Sequence, residues 1–351
     1  MNNIRVCHVN LAKGFRGGER QTELLIRHLQ PHLAGQILVC RRDSPLKVHL
    51  ADVANLEIVE TGGRLGGHGV SRGADIINAH EAKAAHWALA ENLLRKTPFV
   101  ITRRVPQKIK KGLISGLCYK RASALVGISS PIAGYLREIS RRPVVTINST
   151  LAHMNGDAEK TAAIRREYRD KIVIGHIGAY VDRHKGQRVI IDAARFLAGV
   201  RDDLVFLLLG AGSDEQELKA LSADVPSVRW LGFQNDVGSY IRAFDLFVFP
   251  SRNEGLGSTL LDVMDHQVPI IATDVDGIPD IVKDGKTGLL IENGDSRGLA
   301  EAILKLIENR NLAASLAANA KSSLAEFQPE AMAAKYLKLY QDILSGQGEN
   351  R

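Results

Sequence analysis

Short apolar runs alternate with amphipathic stretches along almost the whole chain. The run IRVCHVNLA (4–12) leads through a glycine-bearing loop into GERQTELLIRHL, where Leu24, Leu25 and Leu29 fall on one side at helical spacing. QILVCRR (36–42), ADIINAH (74–80), PFVITRR (98–104) and SALVGISS (123–130) read as further buried strands, the last followed by a helix that Pro131 opens. VVTIN (144–148) closes this first set, and the polar segment 153–170 reads as linker plus a short helix. A second set runs through KIVIGHIGAY (171–180), LVFLLLGAG, VRWLGF, LFVFPS and PIIATD, each followed by a helical pattern. Two successive strand-and-helix sets predict two doubly wound parallel-sheet domains, an architecture that binds ligands at the carboxyl ends of its strands. The predicted division is a first domain over 1–150, a linker over 151–170 and a second domain over 171–325. A terminal segment, 326–351, carries the amphipathic pattern EAMAAKYLKLYQDIL and is expected to pack back across the domain junction.

Length and composition agree with that plan. A chain of 351 residues exceeds what one core usually serves, and 45% hydrophobic with 24% charged residues suits two soluble globular cores. No apolar run approaches the ~18 residues that span a bilayer, and MNNIRVCHVN lacks a signal pattern, so a cytoplasmic protein is expected. Cys7, Cys40 and Cys118 are odd in number and far apart, which suits reduced thiols.

Charge adds a partner. Residues 1–150 hold 23 Lys and Arg against 10 Asp and Glu, net +13, whereas 151–351 hold 23 against 29, net −6. Nothing acidic occurs between Glu91 and Glu138, and 103–121 contains seven basic residues, among them Arg103, Arg104, Lys108, Lys110 and Lys111. Ile109, Leu113 and Leu117 recur at i, i+4, i+8 among them, which predicts a helix with one apolar and one cationic face. Such a face suits an anionic partner, a membrane surface above all, and a plain solvated helix is the alternative.

Four motifs bear on chemistry. LLLGAGSDEQE resembles a dinucleotide turn but has Glu215 where a third glycine belongs, so a sharp strand-to-helix turn explains it. In GFRGGER (14–20), Gly17 and Gly18 stand where a helix N-terminus lets backbone amides approach an anion. DRHKG (182–186) sets Arg183 and Lys185 beside a glycine just past a strand, as a diphosphate contact or as plain surface charge. SRNEGLGSTLLDVMDHQ (251–267) holds Glu254 between a strand end and two glycines, with Ser258 as a candidate N-cap and Asp262 four residues later on the same helix face.

Together these pieces resemble the retaining GT-B glycosyltransferases of family four, over nearly the whole chain. The resemblance rests on GG-E in the first loop, NAHE (78–81), ALVGIS (124–129), TIN (146–148), Lys185-Gly186, VRWLGF (228–233) and the block from Pro250 to Ile291. It implies two Rossmann-like domains facing across a cleft and transfer of a sugar from a nucleoside-diphosphate donor, taken as a UDP-sugar, to a cell-surface glycan or glycolipid acceptor. Lipopolysaccharide core or a lipid-linked polysaccharide precursor fits that acceptor, and neither nucleic acid, metal nor cofactor is implied. Residue by residue, it implies Glu254 at the donor sugar's hydroxyls and Asp262, where the family has Glu, at the ribose. Gly255, Leu256, Gly257 and Ser258 complete that donor loop. Lys185 faces the diphosphate, with Arg183 as a possible second cation, and His80 lies near sugar and acceptor, a buried packing histidine being its alternative. Asp274-Val275-Asp276 falls at a loop, not at a metal-binding D-x-D. One departure stands out: Ala179 follows Gly178 where the family carries Arg. A catalytically silent binding protein and a nucleotide-sugar epimerase of the same fold are the competing readings, and the localisation implied is the inner face of the cell membrane.

Overall fold

The computed structural model describes residues 2–63, 66–109 and 112–346. It divides into two compact units, Met1–Ala152 with Glu326–Arg351, and His153–Ala325.

The first unit is built on a seven-stranded sheet of β1 (Asn2–Asn10), β2 (Leu33–Arg41), β3 (Leu56–Thr61), β4 (Ile76–Ala79), β5 (Phe99–Arg103), β6 (Ala124–Gly127) and β7 (Val144–Thr146). All neighbours are parallel, in the order β3-β2-β1-β4-β5-β6-β7. The second unit repeats the plan with β8 (Ile172–Ile177), β9 (Leu204–Leu209), β10 (Val228–Gly232), β11 (Leu246–Phe249), β12 (Ile270–Thr273) and β13 (Leu289–Ile291), in the order β10-β9-β8-β11-β12-β13. In each sheet the winding reverses beside the first strand, between β1 and β4 and between β8 and β11. These reversals leave a crevice at the strands' carboxyl ends, where such sheets hold ligands.

Central strands such as β9 are buried throughout, as strands covered on both faces must be, which is why they read as unbroken apolar runs. Two strands escape that signature. β3 (LEIVET) is a half-exposed edge strand whose apolar run is broken by Glu57 and Glu60, and β13 is three residues long. The glycines of LLLGAG serve close packing: a Cβ on Gly210, at φ +151°, would lie 1.9 Å from the Gly178 carbonyl oxygen.

The polar segment ahead of the second sheet contains a helix, Ala158–Glu167, that packs on the helix Val237–Ile241 within the second unit. The terminal helix, Pro329–Leu344, belongs to the first unit and lies on its first helix, Gly17–Leu29. Met332, Ala333, Tyr336, Leu339 and Tyr340 join Val6, Leu25, Leu29 and Val100 in one core. Both tyrosines are buried, so their hydroxyls need partners. Asn78 Nδ2 donates to Tyr340 Oη at 2.7 Å, and Thr102 Oγ1 donates to Asn78 Oδ1 at 3.0 Å while meeting Tyr336 Oη at 3.0 Å.

The basic stretch 103–121 is not one amphipathic helix, which corrects the periodicity reading. The helix covers only Leu113–Arg121, with Gly112 at its N-cap. Ile109 precedes it in a loop, where its N–H donates to Tyr135 Oη at 2.8 Å, so it does not share a face with Leu113 and Leu117. Lys110 and Lys111 lie outside the described residues. Pro106, which has no N–H to donate, and Gly112 punctuate the stretch too closely for one continuous helix.

Candidate functional site

In the first unit the reversal between β1 and β4 gathers polar residues in an otherwise apolar sheet. His8 lies on β1 and His80 directly follows β4, and both are buried. His8 Nδ1 and His80 Nε2 are 3.1 Å apart, His8 Nε2 is 3.2 Å from Gln36 Oε1, and His80 Nδ1 is 3.4 Å from Arg104 Nη2. Burial pushes the His8 pKa down to about 4, and burial, then the charges of His8 and Arg104, hold His80 well below its ordinary value. Both rings are neutral at pH 7.

Arg104 Nε is buried with no hydrogen-bond partner, and no carboxylate pairs with this guanidinium among the described residues. The stem of Arg104 lies against the first turn of the helix Gly17–Leu29, since a Cβ on Gly18 would stand 3.5 Å from Arg104 Cδ. No side chain caps the first amides of that helix; Glu19 instead accepts the Arg16 N–H at 2.9 Å. Gly17, Gly18, Arg104 and His80 are thus brought together, and the charge of Glu19, in the first turn of the same helix, acts on Arg104 without forming an ion pair. Arg103, the residue before it and the last of β5, has different partners. It donates to Tyr119 Oη at 3.2 Å and to the Gln107 carbonyl, and sits over the Tyr135 ring. Lys108 is exposed and apart from the group.

The second unit builds its group at the β8/β11 reversal. Past β8 comes the short helix Asp182–Lys185, stopped by Gly186 at φ +67°. A Cβ on Gly186 would lie 2.0 Å from the Pro250 carbonyl oxygen, so only glycine lets this turn approach the end of β11. The approach brings Lys185 Nζ into an ion pair with Glu254 Oε1. Ser251 Oγ donates to the same oxygen at 3.0 Å, and the Glu254 N–H donates to Asp276 Oδ2 at 2.9 Å. Asp276, with φ +47°, therefore fixes the loop that carries Glu254. Lys185 Nζ also stands 5.3 Å from the Phe249 ring centre.

Beneath this pair lies His176, fully buried on β8. Its Nδ1 donates to the Val248 carbonyl at 3.0 Å, which leaves Nε2 to accept from Gln187 Nε2 at 3.4 Å. Gln187 Nε2 also donates to the Ala179 carbonyl at 2.9 Å. Burial lowers the His176 pKa to about 4. Gly178 is where the Lys185 stem and the His176 ring meet, and the Ala179 side chain is exposed.

Of the remaining predicted positions, Gly255, Leu256 and Gly257 form the turn after Glu254, with Leu256 and Gly257 buried. Ser258 precedes the helix Thr259–Asp265 with helical dihedrals, and its side chain does not cap it. Asp262 is buried inside that helix. Arg183 is exposed, and its charge helps to hold the Asp214 carboxyl below its ordinary value. Reading the sequence did not pick out His8, Gln36, His176 or Gln187. The available signal was a histidine interrupting each unit's first apolar strand, IRVCHVN and KIVIGHIG.

Residues 171–309 match the family profile "Glycosyl transferases group 1". The chain is 32% identical to the lipopolysaccharide core biosynthesis glycosyltransferase LpsE of Rhizobium meliloti over 48% of its own length and 50% of that protein's, so it spans about half of this relative. It is 28% identical to the uncharacterized glycosyltransferase MJ1178 of Methanocaldococcus jannaschii over 78% of this chain and 77% of that one. Among solved structures, HepE of Anabaena in complex with UDP and glucose superposes with a TM-score of 0.83 at 19% identity, over 97% of this chain and 100% of that one. That likeness identifies the fold as the GT-B fold the sequence resemblance implied.

Proposed function

We propose that this chain, a member of the group 1 glycosyl transferases through residues 171–309, moves a sugar from a UDP-sugar to a hydroxyl of a growing cell-surface glycan with retention of configuration. One observation carries the reading: Lys185 and Glu254 meet as an ion pair at the winding reversal of the second sheet. A cation there suits a diphosphate, and a carboxylate beside it suits sugar hydroxyls. The partnership also means that neither group waits in the free protein as a bare buried charge.

Catalysis in this reading is electrostatic. As the glycosidic bond breaks, negative charge grows on the leaving diphosphate and Lys185 gains interaction energy with it. Arg183, exposed two residues earlier, is free to turn toward the same group, and the amides near Gly257 and Ser258 add dipoles. Asp262 reaches the ribose from within its helix. The acceptor hydroxyl attacks from the face the leaving group departs, handing its proton to the diphosphate, so no divalent cation and no enzyme nucleophile enter the scheme. In the first unit the amides of Gly17 and Gly18 meet the anionic end of the donor, and His80 lies against sugar and acceptor.

The acceptor in this reading is a lipopolysaccharide core or a lipid-linked precursor on the inner face of the membrane. Support comes from Leu113, 96% exposed, with Val105, Ile114 and Leu117 also exposed next to Lys108 and Lys120. No helix among the described residues is long and apolar enough to cross a membrane. Flotation with phosphatidylglycerol vesicles tests this: Leu113→Ser and Lys108→Gln should each weaken binding, by about 1 kcal/mol for the lost charge. Absence of binding to such vesicles would leave a soluble acceptor.

Ala179 favours one other reading, a binding protein that transfers nothing. Incubation with UDP-glucose, UDP-galactose, UDP-N-acetylglucosamine and GDP-mannose separates the two. Slow acceptor-independent release of UDP from one of them is expected; binding without turnover would favour the silent protein, and epimer formation would overturn the transferase.

A further inference from the structure

The buried chain of side chains behind His80 has a direction, and its two ends agree on it. Gln36 is 1% exposed, and its Nε2 donates to the Ile26 carbonyl at 3.0 Å and to Asn55 Oδ1 at 3.3 Å. Asn55 is itself oriented, because its Nδ2 donates to the carbonyls of Gln30 and Leu33 at 3.0 and 3.3 Å. Main-chain carbonyls only accept, so the amide of Gln36 has one orientation and its Oε1 faces His8 Nε2. That nitrogen must then carry hydrogen. A neutral His8 has a bare Nδ1, which accepts from His80 Nε2 across 3.1 Å. A neutral His80 in turn has a bare Nδ1, and what faces it is a guanidinium nitrogen of Arg104, which can only donate. Ring geometry agrees: the centroids are 5.3 Å apart with planes 20° from parallel, which leaves little beyond the ring radii after a 3.1 Å nitrogen contact. The rings meet edge to edge, as hydrogen-bonded imidazoles do.

We infer that Gln36 and His8 are positioning residues that act through His80, holding its proton on Nε2 so that Nδ1 always presents a lone pair. This rests on the reading that His80 lies at the sugar. His80 then accepts a hydrogen bond from a sugar or acceptor hydroxyl and does not donate one. The Arg104 contact, at 3.4 Å, is the longest in the chain of contacts and is the link that an anionic ligand would draw away. With Arg104 turned to the ligand, Gln36 and His8 still fix the tautomer, and Nδ1 is released to the hydroxyl. A second-rank partner that orients a reactive histidine in this way is a recurrent device, and losing the correct tautomer is costly where the ring acts directly.

The test is the nitrogen signature of the rings. Long-range proton–nitrogen correlation on the full chain, labelled at histidine, should show His8 and His80 both protonated on Nε2 with bare Nδ1; a protonated Nδ1 on either ring overturns the inference. In His8→Phe, His80 loses its acceptor, so its signature should become a mixture of tautomers and turnover of the preferred nucleotide sugar should fall about tenfold, with UDP affinity unchanged. His8→Gln keeps the order, since its amide nitrogen can donate to Gln36 and its oxygen can accept from His80, and should restore both readings. An unmixed His80 signature in His8→Phe would mean that Arg104 alone sets the tautomer, against the inference. Should His8→Phe fail to fold, the native and His8→Gln spectra still decide. His80→Ala with undiminished turnover would instead sink the underlying reading of His80, leaving the signature to judge the chain of contacts separately.

Discussion

The two units repeat one plan and resolve its charge in opposite ways. Each has a buried, neutral histidine on its first strand, His8 in one and His176 in the other, and each sets a cation near the winding reversal. In the second unit the cation is balanced: Lys185 rests on Glu254, and Ser251 supports the carboxylate. In the first, Arg104 pairs with no carboxylate among the described residues, and its Nε has no partner there. The paired group would have to exchange partners to bind a diphosphate in the proposed reading, whereas Arg104 would gain a partner from an anion. Similar scaffolds therefore hold a paired cation in one unit and, among the described residues, a cation with no ion-pair partner in the other.

The balanced side can be broken most forcefully. Lys185→Ala should lower turnover on the order of 10²–10³, the usual loss for a donor aimed at developing charge, and should also leave Glu254 without its counter-ion. Glu254→Gln should lower turnover as well, yet free UDP should bind as well as before or better, because Lys185 is released to the diphosphate. Titration of UDP into both variants checks the contrast; equal loss of UDP affinity in the two would mean the pair acts as a single structural clasp.

Next comes acidity, which strikes both units, the first through His80 as well as His8. His8 and His176 have folded pKa values near 4, against 6.5 in an ordinary histidine. Because the folded values are depressed, the unfolded chain binds more protons between those limits. The stabilisation from the neutral rings is complete above pH 6.5 and is lost as pH falls toward 4, roughly 3 kcal/mol for each ring. Urea midpoints measured from pH 7 to 4 should fall accordingly. His176→Asn, which keeps a donor for the Val248 carbonyl, should flatten the slope for the second unit, and His8→Gln should do so for the first. An unchanged slope in either variant would contradict the assignment to that ring.

The smallest effect belongs to the open side. Arg104→Met removes a half-buried cation with no ion-pair partner among the described residues, whose desolvation already lowers its pKa, and should raise stability by about 1 kcal/mol while weakening UDP binding. Destabilisation would mean that Arg104 earns its place through packing of its stem against Gly18.

Much of this was legible in the sequence for a physical reason. Parallel strands covered on both faces are continuous apolar runs, so the two-fold alternation of sheets and helices stood out, whereas edge strand β3 and the three-residue β13 did not. Lys185 and Glu254 were each identifiable beside glycines and strand ends. Their pairing was not, because 69 residues separate them and only the reversal of the second sheet joins them. The sequence groups Arg104 with its neighbours on a cationic face toward acceptor or membrane, since a run of basic residues carries no sign of which one folds inward. His8 and His176 were visible as breaks in apolar strands, but their partners Gln36 and Gln187 lie on other elements. The basic stretch does not form the one helix its apolar spacing predicts, because Pro106 and Gly112 interrupt it.

The terminal helix has a consequence for how this protein comes into being. The first unit is the earlier to leave the ribosome, yet Tyr336 and Tyr340, which fill its core and satisfy Thr102 and Asn78, arrive only after all of His153–Ala325 has been made. Synthesis and folding therefore run in opposite orders here. The later unit, contiguous in sequence, can close on its own while the earlier one waits with an open hydrophobic face, the state in which nascent chains call on chaperones. Chains stalled after residue 325 should show protease protection over 153–325 ahead of 1–152, and the reverse order would mean that the first sheet closes without its last helix.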